Sequence, residues 1–107
     1  MNPFTERVVG IIRGIPPGSV MTYGQIAAEA GNPRAARQVV RVLHAMSMKL
    51  NLPWYRVVNS KGEIAIASEE GRFTQEIHLK NEGVEVREDG TIDLAVYRFI
   101  PGAASSE

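Results

Sequence analysis

The most unusual cluster of side chains is Pro53-Trp54-Tyr55-Arg56, in which two adjacent aromatic rings precede an arginine. Neighbouring side chains of one regular element point in different directions, so one of the two rings is expected at a surface or in a pocket. Aromatic rings beside arginine can hold an unstacked nucleic-acid base, and each stacked base contributes about 1–3 kcal/mol. The alternative is that Trp54 belongs to the hydrophobic core, and the cluster taken alone favours this alternative.

Charged residues are unevenly distributed along a chain whose net charge is zero. Residues 1–62 contain eight Lys and Arg against two acids, whereas residues 63–107 contain four against ten. Between Ala30 and Gly62 there is no Asp or Glu. Such a basic segment suits a polyanion, of which nucleic acid is the commonest. A solvated basic face neutralised by the acidic half explains the charge equally well.

Several kinds of chemistry are excluded. The chain contains no cysteine, which rules out disulfides, thiolate metal sites and a cysteine nucleophile. His44 and His78 have no partner at metal-ligand spacing, and no carboxylate pair is placed for acid–base catalysis. No apolar run approaches the roughly 20 residues that cross a bilayer, and the N-terminus lacks a signal-peptide pattern. We therefore predict a single cytoplasmic domain, nucleoid-associated if bacterial, without metal, cofactor or membrane contact.

Capping signals predict three helices in the first half of the chain. Asn2-Pro3 and Pro16-Pro17-Gly18 delimit the first helix. Thr22 and Gln25 form a capping-box pattern, which predicts that a short second helix begins at Tyr23. It runs to about residue 30, before a glycine suited to a left-handed helix end. The Asn-Pro pair at positions 32 and 33 predicts the start of a longer third helix that reaches about residue 46.

A short helix, a tight turn and a longer basic helix have the layout of a helix-turn-helix. Arg34, Arg37 and Arg41 are spaced three and four residues apart, so they are expected on one side of the longer helix. The two alanines before Arg37 add little bulk, which would let this face approach a duplex closely. Tyr23 could contact phosphate from the start of the short helix. Taken singly, a core-packed Tyr23 and a solvated Arg37 are the commoner arrangements.

The second half of the chain predicts small β elements. Residues 56–58 and 63–66 flank the four-residue turn 59–62, a pattern typical of a β-hairpin that would form the wing of a winged helix. A last helix is predicted over residues 73–82 and a second small hairpin over residues 84–92. The expected fold is mostly α with small β hairpins, a winged-helix-like helix-turn-helix DNA-binding domain.

Four segments occur in the order and spacing of a known family. They are GSVMTYGQIA at residues 18–27, GNPRAAR at 31–37, PWYRVV at 53–58 and EG at 82–83. Together they resemble the C-terminal domain of the O6-alkylguanine-DNA alkyltransferases over residues 4–84. That family reacts through the motif Pro-Cys-His-Arg-Val.

The resemblance implies that this chain cannot carry out the alkyl transfer of the alkyltransferases. Trp54 stands where the nucleophilic cysteine would be, which is similar to the alkyltransferase-like proteins, and Tyr55 stands in place of the motif histidine. Glu82 matches the glutamate that hydrogen-bonds this histidine, so the relay that activates the thiol is lost together with the thiol. Arg56 and Glu82 are then expected to have structural roles.

The resemblance also implies how DNA is bound. Tyr23 matches the tyrosine that crowds the target phosphate and drives the nucleotide outward. Arg37 matches the arginine that enters the gap in the base stack and pairs with the orphaned cytosine. Arg34 and Ala36 lie on the same recognition helix, which in this family enters the minor groove, where small residues permit close approach.

The pocket for the everted base follows from the same resemblance. The carbonyls of Trp54 and Val57 match acceptors for the guanine amino group, and Ser60 lies in the loop that closes the pocket. Some alkyltransferase-like proteins stack an arginine from beyond the wing on the damaged base, and Arg72 is the nearest candidate here. The predicted pocket residues are Tyr23, Trp54, Tyr55, Val57, Ser60 and Arg72.

Three functions are compatible with the sequence. The resemblance favours a monomeric, non-enzymatic sensor that binds double-stranded DNA containing O6-alkylguanine and flags it for nucleotide excision repair proteins. A winged-helix transcription regulator would instead read undamaged DNA through Arg34, Arg37 and Arg41 in the major groove, normally as a dimer. A base glycosylase would need an Asp, Glu or Lys placed in the pocket. In each case we expect one domain over residues 4–100 and a disordered tail over residues 101–107.

Overall fold

The computed structural model describes residues 1–102 of the protein. Within that range the chain forms α1 (Pro3–Arg13), β1 (Met21–Thr22), α2 (Tyr23–Glu29), α3 (Ala36–Met46), a 3-10 turn (Trp54–Arg56), β2 (Val57–Val58), α4 (Glu69–Asn81) and α5 (Leu94–Tyr97). The expected fold class, mostly helical with small β elements around a helix-turn-helix, is confirmed. None of the described helices has the length and apolar character needed to span a membrane. Of the predicted tail, residues 101–107, the part from position 103 onward lies outside the described residues.

The predicted caps of the first two helices are confirmed. The Thr5 N–H donates to Asn2 Oδ1 at 2.8 Å at the start of α1. At α2 the Gln25 N–H donates to Thr22 Oγ1 at 3.0 Å, and the Thr22 N–H donates to Gln25 Oε1 at 3.4 Å. Gly31, whose φ is +103°, follows the end of α2. The capping box therefore fixes Tyr23 as the first residue of α2.

The predicted start of the third helix is wrong. Residues 32–35 form a turn in which Asn32 Oδ1 accepts from the Arg34 N–H at 3.1 Å, and the Asn32 carbonyl accepts from the Ala35 N–H at 3.0 Å. Asn32 therefore satisfies a local turn instead of capping a helix, and α3 begins at Ala36. Arg34 consequently precedes the helix and does not continue the spacing of Arg37 along it.

The predicted wing hairpin is also wrong. Val57 and Val58 pair in parallel with Met21 and Thr22, so β2 joins a strand 36 positions earlier in the chain. Both valines are buried, which favours pairing inside the domain over an exposed wing. A tight turn does follow β2, since the Asn59 N–H donates to the carbonyl of Glu63 at 3.1 Å. Residues 64–66 then continue without strand structure.

The remaining elements differ from prediction in their bounds. The last long helix, α4, begins at Glu69 because Ser68 Oγ caps it by accepting from the Gly71 N–H at 3.0 Å. The predicted second hairpin over residues 84–92 is reduced to a turn, in which the Arg87 N–H donates to the Thr91 carbonyl at 2.9 Å. The short helix α5 was not predicted. Its cap is Asp93.

Two apolar clusters form the core. The first joins the buried faces of α1, α2 and α3, with Tyr23 and Trp54 packed against it as partly buried rings. The second gathers Val58 and Leu79 with residues from the C-terminal third, and Tyr55 packs against it. In the 3-10 turn, Trp54 therefore packs on the first cluster and Tyr55 on the second. Both rings lie where the two apolar clusters meet.

Candidate nucleic-acid interface and base pocket

Tyr23 is held at the first position of α2 by the capping box. Its ring is partly buried against the first core cluster. Burial raises the pKa of the Tyr23 hydroxyl above its ordinary value, so the phenol is neutral at physiological pH. A neutral phenol can donate a hydrogen bond, which is the property needed to contact phosphate beside the N-terminus of a helix.

Three exposed arginines, Arg34, Arg37 and Arg41, surround the start and outer side of α3, and we call them the basic face. Among residues 1–102 no side chain pairs with the guanidinium of Arg34 or Arg37. Arg41 Nη1 donates to Gln38 Oε1 at 3.4 Å, a contact that leaves its charge uncompensated. Ala36 is partly buried at the first turn of α3. The basic face thus presents positive charge with little steric bulk.

A cavity of about 760 Å³ opens beside α3. Side chains from α2, the C-terminal part of α3, the following segment to β2 and the inner side of α4 form its wall. The volume lies within the range of small-ligand sites, roughly 300–1,000 Å³. Of the predicted pocket residues, the structure brings Tyr23, Trp54, Tyr55 and Val57 together in this wall.

The aromatic part of the wall contains one ring that the sequence did not predict. The His78 ring stacks on Tyr55, with centroids 4.3 Å apart and planes 15° apart. Trp54 lies edge-on to both, with centroid distances of 5.8 Å to Tyr55 and 6.2 Å to His78. His78 comes from α4, so its approach depends on packing between distant segments. The three rings together offer an apolar surface for a planar ligand.

Gln75 is a second wall residue that the sequence did not predict. Its side chain is 1% exposed, and its Nε2 donates to the carbonyls of Tyr55 and Val57, each at 3.0 Å. The Val57 N–H in turn donates to the carbonyl of Trp54. The stretch 54–57, which we call the aromatic segment, is therefore held from behind by α4. A polar residue at a helix position facing the core was the available signal.

Arg56 and Glu82 form a partly buried ion pair that we call the clamp. Arg56 Nε donates to Glu82 Oε1 and Oε2 at 3.0 and 3.1 Å, and Arg56 Nη2 donates to Oε2 at 2.5 Å. Arg56 Nη1 also donates to the Ile15 carbonyl at 2.9 Å, and Glu82 Oε1 accepts from the Gly18 N–H at 3.0 Å. The clamp ties the aromatic segment, the end of α4 and the loop after α1 together.

The clamp groups are ionised in the folded protein. Burial opposes ionisation of Glu82, but hydrogen bonds from Arg56 and the Gly18 N–H outweigh it and lower the pKa of the carboxyl. The hydrogen bond to Glu82 raises the pKa of Arg56 in the same way. Burial raises the pKa of Tyr55, whose ring lies 5.2 Å from the Arg56 guanidinium carbon. Tyr55 is therefore a neutral ring beside a fixed cation.

Two predicted pocket residues do not line the cavity. Arg72 is exposed, and its Nη1 donates to the carbonyls of Ile66 and Ala67 at 2.8 and 2.9 Å. It therefore supports the segment from which Ile66 contributes to the wall, and it does not itself enter the wall. Ser60 is exposed in the turn after β2. Within residues 1–102 no cluster of His, Asp and Glu could hold a metal ion.

Comparison with known proteins shows the family. Residues 3–84 match the model of the 6-O-methylguanine DNA methyltransferase DNA-binding domain. This chain belongs to that family. It is 46% identical over 98 residues to a DNA base-flipping protein of Escherichia coli, covering 92% of this chain and 75% of the relative. A DNA base-flipping protein of Vibrio parahaemolyticus is 40% identical over 101 residues, covering 94% of this chain and 100% of that protein.

A solved structure has the same fold. It is that of Schizosaccharomyces pombe Atl1 in complex with damaged DNA containing O6-carboxymethylguanine. The two chains superpose with a TM-score of 0.85 at 34% sequence identity, over 94% of this chain and 98% of Atl1. The expected relation to the alkyltransferase-like proteins is therefore confirmed. Within this family, the chain has no cysteine with which to accept an alkyl group.

Proposed function

We propose that this protein binds double-stranded DNA containing O6-alkylguanine and holds the everted base in the cavity without removing the alkyl group. The observation that carries the proposal is the position of Trp54. It lies in the wall of a cavity beside α3, the helix that carries Arg37 and Arg41, at the place where the resemblance puts the reactive cysteine. The Atl1 complex with O6-carboxymethylguanine DNA supports the same kind of ligand for this chain.

The basic face and Tyr23 supply the steps that open the duplex. Uncompensated arginines attract the phosphate backbone, and the small residues near Arg37 let α3 enter the minor groove. Tyr23 then contacts the target phosphate from the start of α2, and Arg37 fills the gap left in the stack. Base flipping costs a few kcal/mol, and less where pairing is already weakened, as at O6-alkylguanine.

The cavity supplies the binding energy for the everted base but no thiol, because the chain contains no cysteine. The rings of Trp54, Tyr55 and His78 offer stacking and edge contacts. Alkyl transfer requires a thiolate, and the indole of Trp54 cannot take its place. Glu82, which the resemblance pairs with the motif histidine, forms an ion pair with Arg56, and Tyr55 occupies the position of that histidine. The protein is thus a sensor in which the catalytic cysteine has been replaced.

The biological setting forms part of the proposal. A bound lesion that is not repaired on the protein must be passed to another process, and nucleotide excision repair proteins are the partners we propose. We further propose that the protein acts as a monomer in the cytoplasm, and on the nucleoid if it is bacterial. Ser60 and Arg72 do not line the cavity in the free protein. Their predicted roles, Ser60 in the loop that closes the pocket and Arg72 stacked on the damaged base, stay predictions.

A comparison of matched duplexes tests the proposal. Duplexes that differ only by O6-methylguanine or guanine at one position are titrated with the protein, and the damaged strand is then analysed by mass spectrometry. We expect tighter binding to the damaged duplex and an unchanged strand mass. Equal affinities would contradict damage recognition, and a sequence-specific footprint on undamaged DNA would indicate a regulator. Loss of the methyl group or release of free base would indicate an enzyme.

A further inference from the structure

His78 lines the cavity, but it lies outside the four sequence segments that carry the resemblance. Its side chain is exposed, so a ligand in the cavity can reach it. The ring stacks on Tyr55 and lies edge-on to Trp54, and within residues 1–102 neither ring nitrogen forms a hydrogen bond. Both imidazole nitrogens are therefore available to a bound ligand.

The position of His78 beside Trp54 determines which part of a lesion it can contact. In the alkyltransferases, the cysteine that the resemblance places at position 54 takes the alkyl group from the O6 atom. A base that occupies the cavity as proposed therefore points its O6 substituent towards the indole of Trp54. The ring centres of Trp54 and His78 are 6.2 Å apart. The far end of a substituent of several atoms consequently comes within reach of His78.

The cavity wall contains few groups that could balance a negative charge. Among the described residues it includes no Lys, Arg, Asp or Glu, and only His44 and His78 can become cationic. Histidine changes its charge between about pH 5 and 8, so its ring can take up a proton to meet a ligand anion. Of the two histidines, His78 is the one in ring contact with Trp54. Tyr55 faces it from the aromatic segment as a neutral phenol.

The charged side chains of the elements around His78 are paired with one another. In the clamp Glu82 bonds Arg56, and on the outer side of α4 Glu76 Oε2 lies 2.7 Å from Lys80 Nζ. Within residues 1–102 no carboxylate pairs with the His78 ring. A carboxylate that a ligand brings to this part of the cavity can therefore pair with His78 without displacing an existing partner.

We propose that His78 is a specificity-determining residue that selects among O6-alkyl lesions: its protonated ring bonds the end of a substituent that carries a carboxylate. The preferred ligand is then an anionic O6-alkylguanine, such as O6-carboxymethylguanine, over a lesion with an apolar substituent of the same size. Hydrogen bonds between two ionised groups are stronger than those between neutral groups. This inference rests on the proposed function, and it concerns the O6 substituent, not the base itself.

Two lesions of matched shape test the inference. The O6-carboxymethyl and O6-isobutyl groups share their heavy-atom count and their branching, but only the first is an anion. The ratio of the two dissociation constants is measured at about pH 6, where histidine is largely protonated in water. His78→Phe, which keeps a ring against Tyr55, should lower the preference for the carboxymethyl lesion by roughly fivefold, since solvent weakens an exposed pair. An unchanged ratio in this variant overturns the inference.

His44→Phe is the matched control, because His44 is the other exposed imidazole of the cavity wall. This variant should keep the preference within about twofold of the wild type. Both lesions are measured with the same protein sample, so a misfolded fraction cancels from the ratio. Equal losses of preference in the two variants would show that only the total charge of the wall matters, which overturns the role of His78.

The pH dependence separates an effect of charge from one of shape. In the wild type the preference for the carboxymethyl lesion should fall from about pH 6 to 8, because a neutral imidazole no longer balances the carboxylate. His78→Phe should remove most of this fall. A wild-type preference that stays constant over this range contradicts the inference. The proposed function fails separately, if neither lesion is bound more tightly than guanine in the same duplex.

A measurement on the unchanged protein does not depend on the folding of a variant. The chain contains two histidines, so nitrogen NMR of a histidine-labelled sample gives one set of ring signals for each. At one pH, we expect the His78 ring to be more protonated in the complex with the carboxymethyl lesion than in the complex with the isobutyl lesion. Identical His78 signals in the two complexes overturn the inference.

Discussion

The clamp and the basic face both consist of arginine side chains, but the surroundings of their guanidinium groups differ. In the clamp, Arg56 bonds Glu82, the Ile15 carbonyl and the Tyr55 hydroxyl, and its side chain is 12% exposed. On the basic face, Arg37 is exposed and pairs with no side chain in the described part of the chain. The clamp cation is committed to holding the pocket, whereas the basic face is available to a ligand. Stability and binding should therefore respond to different arginines.

The largest expected effect comes from breaking the clamp. Glu82→Ala leaves Arg56 partly buried without its carboxylate, which should lower the free energy of unfolding by on the order of 3 kcal/mol. Denaturant unfolding measures this change. The control is Glu76→Ala, which breaks only the exposed pair between Glu76 and Lys80 and should change stability by about 0.5 kcal/mol. Equal losses in the two variants would remove the distinction between a buried and a surface pair.

On the basic face the expected effect is on binding. Arg37→Ala should weaken binding to O6-methylguanine DNA by roughly tenfold to a hundredfold, because it removes the side chain that we propose to fill the gap in the base stack. Its free energy of unfolding should stay within about 0.5 kcal/mol of wild type. Titrations of damaged and undamaged duplexes, together with denaturant unfolding, separate the two quantities.

A matched arginine shows whether Arg37 acts through position or only through charge. Arg41→Ala removes the same charge from α3 and should weaken binding to the damaged and the undamaged duplex to a similar extent. The slope of the logarithm of the binding constant against the logarithm of the salt concentration should fall in magnitude by about one. Arg37→Ala should instead lower the preference for damage. If both variants leave that preference unchanged, the basic face contributes only general attraction to DNA.

Tyr23→Phe should have a smaller effect. The ring packing on the core is kept, and only the hydroxyl that we propose to contact phosphate is removed. A single hydrogen bond of this kind is worth about 1 kcal/mol, so binding should weaken by roughly fivefold at unchanged stability. Binding equal to that of the wild type would show that the hydroxyl makes no contact in the complex.

The smallest effect is the pH dependence of the clamp. Because the pKa of Glu82 is lowered in the folded protein, its contribution to stability is complete above the ordinary carboxyl pKa and is lost as pH falls through the lowered pKa. Glu82→Gln should therefore flatten the decline of stability in the acidic range. The pKa of Asp89 is also lowered, by hydrogen bonds from Thr91, so Asp89 contributes to the decline of stability in the same pH range. Asp89→Asn is the control that measures this separate contribution. A decline in Glu82→Gln as steep as in wild type would contradict the clamp.

Features decided by neighbours in sequence could be predicted, and features decided by packing could not. The capping box of Thr22 and Gln25 is complete within four residues, and the structure confirms it. Asn32 could equally cap a helix or close a turn, and the turn forms. The parallel pairing of β1 with β2 joins segments that are far apart in the chain. The local pattern of residues 56–66 contains no signal for this pairing and therefore predicted a hairpin.

The candidate site shows the same division. Four pocket residues could be predicted because they lie in the sequence motifs that this chain shares with the family. They are Tyr23, Trp54, Tyr55 and Val57, and all four line the cavity. Gln75 and His78 were missed, since they reach the aromatic segment only through the packing of α4. Arg72 was predicted by nearness in sequence to a position in related proteins, but its guanidinium is bonded to the Ile66 and Ala67 carbonyls.

The most direct test of the central claim uses Trp54, which is the only tryptophan of the chain and therefore an internal reporter. The emission of the protein is recorded while it is titrated with matched duplexes, one containing O6-methylguanine and the other guanine, with binding followed independently by a label on the DNA. We predict a change in Trp54 emission that saturates with binding of the damaged duplex and is absent or much smaller at equal occupancy by the undamaged one. Saturated binding of the damaged duplex with unaltered Trp54 emission would contradict an everted base in this cavity.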